Sequence, residues 1–378
     1  MPGFGSVLTA PTYLPRSRNL AELPLDLYRP ILEHLRGDQR TLRALTLVNR
    51  DMYAEAMILL YDRIELSTVA RISAFVQNAV KNPDIPRRVH ALVLTLFINI
   101  HSAEHNALIE LFPLLTELVE LRVSFRSSKV ANVADYGAML LDCPSTKLVH
   151  FSWDCMYSAP VRDFILRQPY LEDLTLTDGT MVVGRHDEFP PHHLTRLRRI
   201  VGDARWIAQI ARERPIESVT ITRTTFSASA EMLRALSNSG GPCTSFASPV
   251  TSALSGLYPG DMIQVVQWLP NLLELGDCYI YDPYTMSSNA FFQALKDFTC
   301  LERLRLVDNS DWEGGKFGPQ DALRLQREVP SLRFVDVISM DQRKIHTFIR
   351  KDIPIEGGRT KLYRYEWVLH AEGAGPRG

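Results

Sequence analysis

Cysteine is scarce in this sequence: five residues in 378, widely spaced and odd in number, with no Cys-x-x-Cys pair. A disulfide framework or thiolate metal cluster is not expected, and a reducing compartment is. Net charge is almost absent as well, with 42 Lys and Arg against 43 Asp and Glu. No bulk field is available to hold polynucleotide or an anionic membrane, so any partner must be recognised locally. Long apolar runs are missing too. The strongest, Val89 to Ile100, includes His90 and Asn99 and falls well short of the ~20 residues that span a bilayer. Nucleotide chemistry has no foothold, since Gly3-Phe-Gly5 lacks a third glycine and no Gly-x-x-x-x-Gly-Lys or Gly-x-Ser-x-Gly occurs. No Asn opens an Asn-x-Ser/Thr sequon. Met1 to Leu20 has no apolar core of a secretory leader and reads as a loose tail, as does 370–378. A soluble chain, cytoplasmic or nuclear, is the expectation.

What is present starts at Leu23. Leu27, Ile31, Leu32 and Leu35 follow helical spacing, and Gly37 stands where a helix would stop. A second short helix carries Leu42, Leu45 and Leu47, and a third begins near Asn49 or Asp51 and holds Met52, Ala56, Ile58, Leu59 and Leu60. Three helices over 21–66 make a module too small to hide all its apolar residues, so part of the stripe is expected to face a partner. Pro30 costs about 3 kcal/mol inside a helix. Either the first helix kinks there, or Leu25 to Arg29 is a separate turn and Pro30 opens the helix.

Leu23-Pro24, Ile31-Leu32-x-x-Leu35, Leu42-x-x-Leu45-x-x-Val48-x-Arg50 and Tyr53 resemble an F-box, with Met52-Tyr53 where that family often has Trp or Phe. F-boxes dock substrate receptors onto the Skp-type adaptor of cullin-RING ubiquitin ligases. The resemblance implies that Leu23, Pro24, Leu27, Ile31, Leu32, Leu35, Leu42, Leu45 and Val48 carry the adaptor contact. It implies, too, a cullin reached through that adaptor and a target protein held elsewhere on the chain.

Beyond the module one motif recurs: apolar, two residues, apolar, one residue, apolar. It stands at Tyr61, Val89, Leu118, Leu148 and Leu171, with first positions separated by 28, 29, 30 and 23 residues. It returns at Ile216, Leu301, Leu332 and, ending in Tyr365-x-Trp367, at Leu362. Weaker copies begin at Leu197 (or Leu194), Cys243 and Leu272, and 240–260, rich in Ser, Gly and Pro, reads as a decayed repeat rather than a long loop. Amphipathic helical stretches lie between copies, for example Val161 to Arg167, Ile207 to Glu213 and Ala322 to Val329. Pro144, Pro169, Pro215, Pro270 and Pro330 stand just before the strands.

Strand and helix at this period resemble a leucine-rich-repeat horseshoe, here irregular because the closing Asn survives only as Asn309. The expected fold is therefore α/β: a short all-α F-box-like head, then a solenoid of parallel strands with outer helices over 61–369. A doubly wound sheet is the alternative. The arrangement resembles F-box proteins numerous in fungi. In a horseshoe the residues between the apolar positions face inward. Glu120, Arg122, His150, Asp154, Asp173, Arg303, Arg305 and Asp336 are thus candidate contacts for a target protein, together with Ser124, Ser152, Thr175, Thr220 and Glu366. The reading without a ligase is a repeat scaffold for protein interactions.

Catalytic readings are weaker. His101-Ser-Ala-Glu104-His105 matches the inverted zincin pattern, whose histidines must share one helical face to hold zinc while the glutamate activates water. Ser102 as N-cap would leave His101 outside the helix, so no zinc site is expected, and a zinc hydrolase using His101, Glu104 and His105 stands only as the third reading after receptor and scaffold. His150, Ser152 and Asp154 share a strand face, but neighbours two apart lie about 6.6–6.8 Å from one another, beyond hydrogen-bond reach. His192-His193 has no third ligand nearby. Arg185, Arg196, Arg198, Arg199, Arg205, Arg212 and Arg214 outnumber the local acids and read as solvated surface or as a pocket for an acidic or phosphorylated segment. No enzyme activity, cofactor, metal, nucleic acid or membrane partner is expected.

Overall fold

The computed structural model describes residues 24–96, 102–125, 136–155, 157–177, 189–223, 226–248, 259–280, 289–308, 317–339, 344–353 and 362–370. Residues 1–20 and 371–378 of the expected tails lie outside these residues, as do Leu23, His101 and Arg185, while His370 ends a strand rather than opening a tail.

The head is three helices, α1 (Leu25–Glu33), α2 (Gln39–Leu45) and α3 (Arg50–Asp62). Asp38 caps α2 by accepting from the Thr41 N–H at 3.1 Å, and Asn49 caps α3 by accepting from the Met52 N–H at 2.7 Å. Gly37, at φ 102°, turns the chain between α1 and α2 in the left-handed region that glycine tolerates. Pro30 lies inside α1 rather than opening a separate helix, and Pro24 stands at the N-cap. Tyr28, Leu32, Leu42, Met52, Ala56 and Leu59 pack together as a core of the head's own.

Helix α3 runs without a loop into β1 (Arg63–Leu66), which begins a 13-stranded sheet in strictly sequential order. Eleven strands pair in parallel: β1, β2 (Ala91–Leu96), β3 (Glu120–Phe125), β4 (His150–Trp153), β5 (Asp173–Leu176), β6 (Arg199–Asp203), β7 (Ser218–Arg223), β8 (Ser245–Ala247), β9 (Glu274–Ile280), β10 (Arg303–Asp308) and β11 (Phe334–Ser339). The crossovers carry α4 (Val69–Lys81), α5 (Ser102–Leu111), α6 (Ala159–Leu166), α7 (Ala204–Ala211), α8 (Phe226–Ser237), α9 (Pro259–Trp268), α10 (Asn289–Lys296) and α11 (Pro319–Glu328). Neighbour packs on neighbour throughout, which is a leucine-rich-repeat-like solenoid and not a doubly wound sheet. The weak copies are true repeats. In register, Ile200 sits between Leu174 and Val219, Phe246 between Val219 and Leu275, and so the repeat at β6 starts at Leu197, not Leu194.

The apolar motif positions face the helices and are almost wholly inaccessible, from Leu92 through Phe151, Leu174, Ile200, Val219, Leu275 and Leu304 to Val335. They form one continuous core along the array.

One copy of the motif is not a repeat. Leu362-x-x-Tyr365-x-Trp367 lies in β13 (Leu362–His370), which runs antiparallel to β12 (Lys344–Ile353), itself antiparallel to β11. Only four residues separate Ser339 from Lys344, whereas a parallel return needs a crossover of about a dozen residues or more. The chain must therefore reverse, and the parallel array ends at β11.

A main-chain ladder joins the coils, while Asn309, the closing Asn, lies outside the described residues. Nine carbonyls, those of His90, Val119, Val149, Glu172, Arg198, Glu217, Thr244, Leu273 and Glu302, each accept two consecutive N–H groups from the next coil, at 2.7–3.1 Å. Both lone pairs of each carbonyl are used. Because the ladder is made only of main chain, it leaves the side chain at each rung free to vary, and the repeats stack despite their irregular sequence.

Candidate functional site

Two surfaces carry the sequence candidates. The first is the head. Leu32 and Leu42, at 0% and 1% exposure, are interior residues of its core and cannot reach a partner, while Leu35 and Leu45 pack against that core half-buried. The exposed apolar side chains are Leu27, Ile31, Leu47, Val48 and Tyr53. Leu27 and Ile31, one turn apart, share a face of α1. These five are drawn from 27 residues, yet they make up five of the twelve large apolar side chains exposed among the described residues, so the exposure is concentrated on the head. Leu47 and Tyr53 were not among the sequence candidates for the contact. The head is held to the array at Asp62, whose carboxylate lies 3.0 Å from His90 Nδ1 and 3.5 Å from Arg36 Nη2.

The second surface is the helix-free face of the sheet. Successive strands bring Arg63, Ala91, Glu120, His150, Asp173, Arg199, Ser218, Ser245, Glu274, Arg303 and Phe334 into one row and Glu65, Val93, Arg122, Ser152, Thr175, Val201, Thr220, Ala247 and Gly276 into the next. Opposite charges alternate between neighbours. Glu120 accepts from Arg63 at 3.0 Å and lies 2.6 Å from Arg122 Nε. Asp173 is gripped from both sides, by His150 Nδ1 at 2.5 Å and by Arg199 through Nε at 2.5 Å and Nη2 at 2.7 Å. The Asp173 bond raises the already high pKa of Arg199. A recess of about 370 Å³ opens here, lined by Arg122, His150, Ser152, Asp173, Thr175 and Arg199 among others.

Farther along, β9 carries one residue more than β10 between the pairs Leu304–Leu275 and Leu306–Cys278. The bulge puts Asp277 at φ 60° and turns its carboxylate onto Arg305, which donates through Nε at 2.5 Å and Nη2 at 3.1 Å. Burial pushes the Asp277 carboxyl up, against the pull of Arg305. Gly276 leaves room for that guanidinium: a Cβ there would meet Ala247 Cβ at 2.9 Å and Arg305 Nη2 at 3.1 Å. Gly276→Ala is expected to destabilise the protein by about 1–3 kcal/mol through overpacking. Urea unfolding measures this, and a variant as stable as the parent would mean that the floor is not tight. Arg303 lies 3.5 Å from Asp336, whose Oδ1 also accepts from the buried Thr347 at 2.7 Å. Asp154 accepts from Thr177 Oγ1 at 2.5 Å, just beyond β4.

The His101-Ser-Ala-Glu104-His105 pattern falls partly outside the described residues, and among the described residues no group of three His, Cys, Asp or Glu is placed to hold a metal. Among the described residues no hydroxyl bonds to His150, whose partner is a carboxylate on the next strand. The rings of His105 and Tyr136 pack T-shaped, 5.7 Å between centroids. His193 Nδ1–H donates to the Leu166 carbonyl at 3.0 Å.

Among the described arginines of that stretch the contacts go in different directions. Arg196 lies over Tyr170, Arg198 pairs with Glu217 and Arg199 with Asp173. Arg214 is buried, and its N–H groups go to five main-chain carbonyls: Phe189, Pro190, His193, Ile210 and Arg212. Burial brings its pKa down to about 10, so it stays charged at neutral pH.

No protein-family model and no curated protein matches the chain. Seventeen chains of solved structures do. One belongs to the crystal structure of the Rad7 and Elc1 complex in yeast, with 11% identity and a TM-score of 0.36 over 84% of this chain and 90% of that one. Among the described residues no helix is long and apolar enough to cross a membrane.

Proposed function

We propose that this protein is a non-catalytic substrate receptor of a cullin-RING ubiquitin ligase, joined to a Skp-type adaptor by its helical head and to a target protein by the inner face of its repeat array. The observation that carries the reading is the concentration of exposed apolar side chains on the head. Leu27, Ile31 and Val48 stand at positions to which the F-box resemblance assigns adaptor contact, and a monomer in water has no use for them there. The separate head core supports it as well, since the module can present its surface while the array engages something else. The inner face offers rows of paired charges and hydroxyls, the composition of a selective protein interface.

In this reading the chain supplies no acid, base or nucleophile. It holds two macromolecules at fixed separation, so that lysines of the target meet the charged ubiquitin carrier at high effective concentration. Co-expression of the full chain with a Skp-type adaptor, followed by gel filtration, tests the docking half. A stoichiometric complex is expected. Elution of the chain alone would sink the ligase reading and leave a repeat scaffold.

A further inference from the structure

The recess between β3 and β6 has an unusual inventory. The carboxylate in its lining is already engaged: Asp173 is held by His150 and Arg199. Glu120, outside the lining, is ion-paired with Arg63 and Arg122, although its Oε1 makes no hydrogen bond among the described residues. What remains free is donors. Among the described residues Arg122 meets Glu120 through Nε and makes no contact through its terminal nitrogens, and His150 uses Nδ1 and makes none through Nε2. Among the described residues the Ser152 and Thr175 hydroxyls are not hydrogen-bonded and lie on the recess wall in consecutive register. Arg122 is more than half exposed and can swing toward a ligand without unfolding anything.

We infer that this recess binds a carboxylate, the side chain of an Asp or Glu in an extended segment of the target protein, and so supplies the acidic anchor of recognition. The inference rests on the receptor reading for its biological role, but the chemistry of the recess stands without it. The charge balance chooses between anions. Arg63, Arg122 and Arg199 are offset by Glu65, Glu120 and Asp173, so the neighbourhood carries no surplus of guanidinium charge. A phosphoryl group of charge near −2 calls for uncompensated arginines. A single carboxylate needs only the free guanidinium end and the neutral donors around it. Beyond the recess the floor continues over Thr220, Ala247 and Gly276, small residues that let an extended main chain lie close to the sheet.

The test is a selection of random twelve-residue peptides displayed on phage, panned against the full-length protein and repeated on Arg122→Gln and Ser152→Glu. The second variant places a carboxylate where the ligand's would sit. The expected outcome is enrichment of Asp or Glu at one position, lost on both variants, while the thermal midpoints of the variants stay with the parent. Synthetic versions of an enriched peptide with Glu, Gln or phosphoserine at that position then separate the anions: Glu is expected to bind at least about tenfold tighter than Gln, and phosphoserine no tighter than Glu. Absence of acidic enrichment, enrichment that survives both variants, or tighter binding of phosphoserine would each overturn the assignment. Co-elution of the two variants with the adaptor is measured in parallel. Failure to co-elute even in the parent counts against the ligase reading and leaves the peptide result intact.

Discussion

Ile31→Asp combined with Val48→Asp is expected to abolish adaptor binding while the chain stays folded. Both side chains are 40–50% exposed in the free protein, Ile31 at 41% and Val48 at 48%, so a carboxylate at either position is solvated and costs the head little. In a complex the same carboxylates would be carried into an apolar contact, where truncation of an anchor residue alone commonly costs about 2 kcal/mol or more. Desolvation of an unpaired charge adds to that. The combined loss is expected to exceed about 100-fold in affinity, equivalent to about 2.8 kcal/mol. Leu32→Asp is the contrast. Leu32 is fully enclosed by Tyr28, Leu42 and Met52, so this variant should lose adaptor binding by melting the head, with lost helical signal and a protease-sensitive segment before β1. Gel filtration with adaptor and circular dichroism on all three proteins decide the matter. If the exposed pair binds like the parent, the apolar surface of the head is not the docking face.

The contrast between Leu32 and its neighbour Ile31 also marks how far the sequence could be read. Helical periodicity places both on one apolar stripe of α1, and the small size of the module implies that part of the stripe stays exposed. It could not say which residue, because adjacent residues on a narrow apolar stripe differ by 100° and the packing of α3 decides between them. The array was more legible. A motif that puts two apolar residues on one strand face and a third just ahead of the strand survives even where it has decayed to Cys243-x-x-Phe246, because burial is demanded at every coil. Helix α4 obeys the same logic, with a Thr68 cap and Ile72, Phe75, Val76 and Ala79 buried, although no strand motif announces it. The C-terminal pair of strands was misread because the motif at Leu362 reports alternation of apolar residues and says nothing of strand direction. The inner face was legible as a set of residues and illegible as a network: that Asp173 serves both His150 and Arg199 depends on inter-strand register across a span of 50 residues.

The polar residues that fasten the coils, three of them buried and His193 half-buried, were the least visible. Ser145 Oγ–H donates to Leu118 O at 2.7 Å, Gln168 Nε2–H to Ser145 O at 3.0 Å, His193 to Leu166 O and Arg214 to His193 O, each tying one coil to the last. A signal existed: Ser145, Gln168 and Arg214 each adjoin a proline that precedes a strand, Pro144, Pro169 and Pro215.

Arg214→Met should therefore be among the most damaging single substitutions in the array. Its aliphatic stem is replaced closely enough, but the five carbonyls that converge on the guanidinium would face an apolar slot. Each buried acceptor left without a donor costs about 1–3 kcal/mol, and removing the cation recovers only its own desolvation. A net loss of about 3–5 kcal/mol is expected once some of the carbonyls find water. Arg214→Lys should rescue little, since three donors on a single nitrogen cannot reach acceptors spread from Phe189 to Arg212. Because solenoids open coil by coil, the damage should be local before it is global. Hydrogen exchange is expected to accelerate first in 189–215, around β6 and α7, and urea unfolding to shift to lower concentration. A methionine variant with parental exchange in that segment would mean that the five carbonyls are satisfied without the arginine.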